Sequence, residues 1–233
     1  MKRTVLTRAA IAATAVVALA GPTVASASPN PSPSASSASA DTSTSASPQQ
    51  GALDKVGPTS PTAYLFGETL AKLAGEELEA TFMAEIIPHH QAAIEMAKLE
   101  LERGQSADIR THADNIIANQ QHQIDQFTQW LDEWYGLTPE QAMEQAPEEA
   151  RQEMQVLEEE TQQRVGELSQ VPAGEQFDVA FVAEMVPHHQ AGIIEFLEPQ
   201  SRAVHPELRV AATSGINTQE MQVADFLTWL SGR

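Results

Sequence analysis

The chain has 233 residues, with 13 Lys and Arg against 32 Asp and Glu, a formal net charge of −19 and no cysteine. The absence of cysteine excludes disulfides, thiolate zinc sites, a cysteine nucleophile and a lipid anchor attached through cysteine. A sequence pI near 4.6 argues against nucleic-acid binding, which depends on clustered Lys and Arg. We therefore expect partners that are cationic, neutral or metallic.

The first 27 residues have the pattern of a secretory signal peptide. Basic residues at the start are followed by an apolar run over residues 9–20, and an A-x-A site suited to signal peptidase ends at Ala27. The apolar run is shorter than the roughly 20 residues needed to cross a bilayer. The pattern predicts an exported protein, secreted or associated with the cell wall, with no membrane span.

Residues 28–62 consist almost entirely of Ser, Ala, Pro, Thr and Gln. Such a composition cannot bury enough apolar surface to offset the entropy of ordering the chain, so we predict a disordered tether here. The remaining residues, 63–233, are enough for one compact domain with a substantial core.

An internal repeat occupies this domain. The segments FMAEIIPHHQAAI (82–94) and FVAEMVPHHQAGI (181–193) are 99 residues apart. The downstream blocks FTQWL and FLTWL, which begin at Phe127 and Phe226, keep the same spacing. Two separated blocks in one register indicate a duplicated unit.

The apolar residues of both copies recur with the period of amphipathic helices, and no stretch alternates convincingly with period two. Each repeat unit, about 76–136 and 175–231, is predicted to be a helical hairpin, and in the first unit Gly104 ends one helix and Ser106 caps the next. The Glu- and Gln-rich segment between the units is predicted to be a helical connector. Two hairpins with complementary stripes can close together, so we predict an all-α four-helix bundle.

Polar side chains interrupt the apolar stripes at equivalent positions of the two copies. Glu85 and His89 lie at i and i+4 on one helix face, and Glu184 and His188 repeat the arrangement. Because an unpaired buried charge costs several kcal/mol, these groups must pair with each other, face water or bind a metal. Two imidazoles and two carboxylates suit a borderline divalent ion such as copper, zinc, nickel or iron.

Further polar residues extend this metal hypothesis. His90 and His189 follow the first histidines and are expected to border or support the site, while Gln120 and Gln219 reach it from the partner helices. The hypothesis therefore names Glu85, His89, His90, Glu184, His188 and His189 as metal residues, with Gln120 and Gln219 behind them. The alternative is a Glu-His-Gln network with a structural role only, in a non-catalytic, acidic interaction module.

The two PHHQ motifs, together with the downstream Q-x(6)-F-x-x-W-L blocks, resemble the domain-of-unknown-function 305 family. The resemblance covers the whole predicted domain. It implies a ferritin-like helical bundle of exported bacterial proteins, some of which bind copper and take part in copper tolerance. It also implies that the site includes the motif histidines His89, His90, His188 and His189.

This chain departs from the family pattern just before the histidines. The family usually carries a Met-Met pair there, whereas this chain has Glu85-Ile86 and Glu184-Met185. Thioethers suit Cu(I) and carboxylates suit harder ions. The change therefore favours Cu(II), with zinc as another candidate, over Cu(I).

A ferritin-like di-iron oxidase is the enzymatic alternative. That chemistry uses two Glu-x-x-His motifs and a Glu from each of the other two helices. This chain has Glu-x-x-x-His and offers glutamines where the additional carboxylates would be needed. We therefore expect a protein that sequesters or delivers metal without catalysis, as a monomer or a homo-oligomer.

Overall fold

The structure is a computed structural model that describes the backbone of residues 48–233 and the side chains of residues 51–233. Within this range the chain forms eight α-helices, one π-helical turn and no strand, which confirms the predicted all-α bundle. The helices are α1 (Pro48–Leu53), α2 (Pro61–Lys72), α3 (Gly75–Arg103), α4 (Ala107–Trp130), α5 (Pro139–Gln145), α6 (Glu148–Leu168), α7 (Glu175–Arg202) and α8 (Pro206–Ser231), and the π-helical turn Leu131–Tyr135 continues α4.

The predicted signal segment and residues 28–47 of the predicted tether lie outside the described residues. The rest of that tether contains α1 and the start of α2. Ala52 of α1 is buried, Val56 packs against the same apolar cluster, and Ser60 caps α2 by accepting the N–H of Thr62 at 3.0 Å. None of the helices in the described part of the chain combines the length and apolar character needed to span a membrane.

The predicted hairpins are α3 with α4 and α7 with α8, and they meet through α3 and α7. Gly104 follows the last residue of α3, and the Ser106 side chain caps α4 by accepting the N–H of Ile109 at 3.5 Å. The π-helical turn ends at Gly136, whose φ of 66° lies in the left-handed region that glycine adopts without steric cost.

The central helices α3 and α7 are antiparallel, since the start of each lies beside the end of the other. His89 and His188, which the repeat makes equivalent, are in contact, with ring centroids 3.9 Å apart. Equivalent residues that touch lie at the axis relating the two copies. The pseudo-twofold axis of the bundle therefore passes between these two rings.

An acidic residue near the start of each central helix holds the loop of the other hairpin. Asp178 Oδ1 accepts the N–H groups of Gln105 and Ser106 at 2.8 and 3.0 Å. Glu79 Oε1 accepts the N–H of His205 at 2.8 Å. Asp178 and Glu79 are 99 residues apart, and so are Ser106 and His205, the N-cap residues of α4 and α8. The two hairpins thus cap each other reciprocally.

The Glu79 end carries a larger cluster. Tyr135 donates a hydrogen bond to Glu79, and His205 Nδ1 lies 2.6 Å from Glu79 Oε2. Burial alone would raise the pKa of Glu79, but the hydrogen bonds from Tyr135 and His205 outweigh it and lower the pKa. Trp134 stacks on the His205 ring, with centroids 3.8 Å apart. The π-helical turn therefore brings Trp134 and Tyr135 over the loop between α7 and α8.

The predicted helical connector consists of α5 and α6. Both pack on α3, and α2 packs on α6 and α7, so the central helices are covered by single-copy elements as well as by α4 and α8. Ala150, Met154 and Leu157 are buried where α6 meets this layer. The duplicated hairpins therefore have unequal surroundings.

A buried carboxyl group on α3 makes the stability of the domain depend on pH. Glu100 is fully buried, and burial followed by the proximity of the Asp178 carboxylate raises its pKa from 4.5 to about 9. The folded state therefore keeps a proton on Glu100 at neutral pH, whereas the unfolded chain releases it. The contribution of Glu100 to stability is fully present below about pH 4.5 and declines as the pH rises towards about 9.

We expect Glu100→Gln to remove this dependence, because an amide fills the same space without requiring a proton. At pH 8 the variant should be more stable than the wild type by about 1–3 kcal/mol, and at pH 4 the two should differ by less than about 0.5 kcal/mol. Urea unfolding of both proteins at pH 4, 6 and 8 measures this difference. A difference that stays constant across this pH range would contradict the proton assigned to Glu100.

Candidate metal centre

Two imidazole rings lie where α3 and α7 cross. His89 of α3 and His188 of α7 are 6% and 4% exposed, and their rings are tilted by 36° to each other. Pro88 and Pro187 precede them inside continuous helices. The repeat therefore delivers one histidine from each central helix to the pseudo-twofold axis.

Two buried carboxylates lie beside the rings. Glu85 precedes His89 by about one turn of α3, and Glu195 follows His188 by about two turns of α7. One ligand atom from each of Glu85, His89 and Glu195 lies within 4.8 Å of the other two. His89 Nδ1 is 3.8 Å from Glu195 Oε1. Atoms at these separations can share one ion, since metal–ligand bonds to nitrogen and oxygen are about 2.0–2.2 Å long.

Most of the polar atoms around this point make no hydrogen bond within the described part of the chain. They are His89 Nε2, both ring nitrogens of His188 and both carboxylate oxygens of Glu195. A buried polar atom without a partner costs about 1–3 kcal/mol, and more if it is charged. Metal ligands must offer lone pairs that no protein group already engages. These nitrogen and oxygen atoms converge and have no protein partner, so they fit a bound cation.

The protonation of the group also suits a cation. Burial, reinforced by neighbouring histidines, lowers the pKa of His89 and His188 well below its usual value, so both rings are neutral and keep a lone pair. Burial, and then repulsion from Glu195 and Glu158, raises the pKa of Glu85 well above its usual range, and burial raises that of Glu195 to about 8. A divalent ion would be neutralised by these two carboxylates and would displace their protons.

The second histidines point towards the partner helices. His90 Nε2 hydrogen-bonds Gln123 Oε1 at 2.8 Å, and the His189 ring stacks near Phe226 with centroids 6.4 Å apart. Burial lowers the pKa of His90 to about 4 and that of His189 to about 3, opposed in part by Gln123 and by its repeat equivalent Gln222. The structure thus places both histidines beside the group of Glu85, His89 and Glu195 and outside it.

The structure does not bring Glu184 into the group. Its carboxylate accepts a hydrogen bond from Arg164 Nη1 of α6 at 2.9 Å and is 28% exposed. Glu195 supplies the carboxylate of α7 instead, and its repeat equivalent on α3 is Met96. Because the connector occurs once, Arg164 breaks the symmetry that the duplicated motif suggests.

Sequence reasoning missed Glu195, although the sequence carries a signal for it. Glu195 lies seven residues after His188 and therefore on the same helix face. It is the third polar residue of that stripe, after Glu184 and His188. The repeat gives no indication of it, because the equivalent position in the first copy, Met96, is apolar.

Gln120 of α4 and Gln219 of α8 are both buried. Gln219 approaches His89 at Gly192. A Cβ atom added to Gly192 would lie 2.7 Å from Gln219 Oε1 and 3.0 Å from His89 Nε2. Glycine at this position of α7 therefore leaves room for the amide beside the imidazole.

A small cavity of about 80 Å³ reaches the group between α3 and α6. Glu85 and His89 line it, together with Met143 of α5 and with Met154 and Glu158 of α6. The connector therefore brings two thioethers and an acidic side chain close to Glu85 and His89.

Comparisons with known proteins agree with this architecture. The family model described as a domain of unknown function, DUF305, matches residues 79–230. No curated protein matches the chain. The chain is similar to CopM in the Cu(II)-bound form, with 21% identity over 66% of this chain and 96% of that one and a TM-score of 0.53.

Two further solved structures show the same likeness. CopM in the Cu(I)-bound form is 22% identical over 65% of this chain and 94% of its own, with a TM-score of 0.52. A DUF305 protein from Streptomyces coelicolor is 21% identical over 64% of this chain and 88% of its own, with a TM-score of 0.51. These structures share the fold. Since the family model spans most of the chain, including both PHHQ motifs, the chain belongs to the DUF305 family.

Proposed function

We propose that this protein is exported and binds one transition-metal ion between α3 and α7, and that it acts in metal sequestration or tolerance. Glu85, His89 and Glu195 are the ligands, and His188 is the candidate for a fourth ligand. The observation that carries the proposal is the convergence of three buried donors within 4.8 Å of one another. The free nitrogens of His188 and the free oxygens of Glu195 support it.

Copper in the Cu(II) state is the ion that this ligand set favours, with zinc as the second candidate. The set combines imidazole nitrogen with two carboxylate oxygens, which are harder donors than the thioethers preferred by Cu(I). CopM, which shares the fold, is known in Cu(II)-bound and Cu(I)-bound forms. The thioethers of Met143 and Met154 lie nearby and would suit Cu(I). The affinities for Cu(II) and Cu(I) should therefore be measured side by side.

Storage or delivery suits the site better than catalysis. The ligands are buried, and the cavity beside them holds about 80 Å³. Sites that take a small-molecule substrate typically hold about 300–1,000 Å³. Glutamines Gln120 and Gln219 stand where a di-iron oxidase needs carboxylates, so the proposal includes no redox turnover of a substrate.

The remaining residues of the sequence hypothesis have supporting roles in this proposal. His90 and His189 fix the helices behind the ligand set through their contacts with Gln123 and Phe226. Gln219 and His89 both lie close to Gly192, where the absence of a side chain leaves room for them. Glu184 stays paired with Arg164 and binds no metal.

The test is a calorimetric titration of residues 28–233 with Cu(II), with Zn(II) and, under anaerobic conditions, with Cu(I), accompanied by metal analysis. We expect one ion per chain, and we expect His89→Ala to weaken its binding by at least about 100-fold. His122→Ala, which removes an exposed histidine of α4, is the matched control and should bind like the wild type.

Absence of binding tighter than about millimolar for all three ions would overturn the metal proposal. The Glu-His-Gln cluster would then be a structural network, and the chain an acidic interaction module. Equal binding by His89→Ala and the wild type would place the metal elsewhere and equally contradict the assigned ligands.

A further inference from the structure

Two cavities reach the candidate metal centre beside α6, and Leu157 of that helix lines both. The first is the cavity between α3 and α6, which is lined by His89 and Ala92 of α3. The second is lined by their repeat equivalents, His188 and Ala191 of α7. The two cavities are therefore counterparts across the pseudo-twofold axis, and the single-copy elements around them make them different.

The two cavities differ in size. The first holds about 80 Å³ and the second about 20 Å³. A cavity needs about 10–15 Å³ for each water molecule, so the second has room for about one water and the first for several. An ion in solution carries its hydration shell and exchanges those waters for protein ligands step by step. The first cavity has the space for this exchange.

The second cavity is covered by the segment before α2 and carries a positive charge. Ser60 is buried and lines it, and the neighbouring Thr59 hydroxyl donates a hydrogen bond to Gln190 Oε1 at 2.7 Å. Gln91, the repeat equivalent of Gln190, is exposed and lines the first cavity. Arg164 also lines the second cavity, so a cation that approaches on this side meets a guanidinium group.

Acidic side chains line the first cavity. Glu95 of α3 and Glu158 of α6 are exposed, and Glu85, a proposed ligand, lies in the same wall. Neither Lys nor Arg occurs among the described residues that line this cavity. In the second cavity the acid Glu160 is accompanied by Arg164. Since a concave surface of one charge attracts the opposite charge from solution, the first cavity favours the approach of a cation.

We propose that the metal ion enters and leaves its site through the cavity between α3 and α6, and that Glu158 steers it there. The inference rests on the proposed metal site between α3 and α7. Glu158 attracts the hydrated ion at the exposed side of the cavity, and the ion then reaches Glu85 and His89 in its wall. The counterpart cavity beside His188 stays closed. The connector thus gives a duplicated bundle one open side.

The first test measures the rates of Cu(II) uptake and release by residues 28–233 in stopped-flow experiments at about 10 mM ionic strength, where charges act over long distances. Glu158→Gln should lower the association rate constant by at least about threefold, because one attracting charge is lost, and should leave the dissociation rate constant within about twofold. Glu160→Gln, which removes an acid of α6 from the second cavity, is the matched control and should change neither rate by more than about twofold.

The second test obstructs the cavity with a bulky side chain. Gln162 is exposed and lines the first cavity, and the next residue, Gln163, is exposed and is not part of that lining. A barrier on a route slows movement in both directions equally. Gln162→Trp should therefore lower the association and dissociation rate constants by the same factor, at least about fivefold, and leave the Kd within about twofold of the wild type. Gln163→Trp should keep both rates of the wild type.

Rates that respond to Glu160→Gln and not to Glu158→Gln would place the route on the α7 side and overturn the proposal. Wild-type rates in both Glu158→Gln and Gln162→Trp would overturn it as well. The Kd for Cu(II), measured on the same samples, separates this failure from that of the metal proposal. Normal affinity with unaltered rates contradicts the route alone, whereas a wild type that binds no Cu(II) contradicts both.

Discussion

Glu195→Gln is expected to weaken metal binding by at least about 100-fold, whereas Glu184→Gln should stay within about threefold of the wild type. Glu195 is fully buried and presents two free carboxylate oxygens to the ligand group. An amide in its place is a weaker ligand and removes one of the two charges that balance a divalent ion. Glu184 is engaged by Arg164 of α6. Competition of each variant against a chelator of known affinity gives both ratios.

The stability of the metal-free variants is the control for this experiment. Without metal, Glu195→Gln should be at least as stable as the wild type at pH 7, because burial raises the pKa of Glu195 to about 8 and the amide needs no proton. A loss of affinity then reports a lost ligand and not an unfolded protein. The reverse pattern, with Glu184→Gln binding poorly and Glu195→Gln binding normally, would restore the symmetric ligand set that the repeat suggests.

Asp178→Ala and Glu79→Ala are each expected to destabilise the domain by about 3 kcal/mol. Asp178 accepts two backbone N–H groups at the start of α4, and Glu79 accepts one at the start of α8 and also holds Tyr135 and the His205 ring. Removing either carboxylate leaves these groups without partners. Urea or thermal unfolding measures the loss.

The two losses should be additive to within about 0.5 kcal/mol. Glu79 and the Asp178 contact with Gln105 lie at opposite ends of α3, about 40 Å apart at 1.5 Å per residue. Asp178→Asn keeps one acceptor oxygen and should cost less than Asp178→Ala. Glu220→Ala, an exposed acid on α8, should change stability by less than about 0.5 kcal/mol. Single losses below about 1 kcal/mol would contradict the reciprocal capping.

The repeat made most of the fold predictable. A fixed offset of 99 residues, combined with helical periodicity, predicts two equivalent hairpins, and the structure has them as α3 with α4 and α7 with α8. The same offset makes His89 and His188 equivalent, and equivalent residues at the centre of antiparallel helices meet at the symmetry axis. Local rules also identified the ends of helices, as at Ser106.

The sequence could not predict what the single-copy elements do. Arg164 pairs with Glu184 through a contact between α6 and α7 that no local pattern encodes. The reciprocal caps join residues 72 and 126 positions apart, Ser106 to Asp178 and Glu79 to His205, so they depend on how the hairpins dock.

The central claim is that one ion is bound between α3 and α7, and anomalous diffraction from crystals of the copper-loaded protein tests it most directly. Data collected on both sides of the copper absorption edge locate the ion without any assumption about its ligands. The account predicts a single strong peak about 2.0–2.2 Å from a carboxylate oxygen of Glu85, a ring nitrogen of His89 and a carboxylate oxygen of Glu195. A peak confined to surface acids, or none between the two central helices, would contradict it.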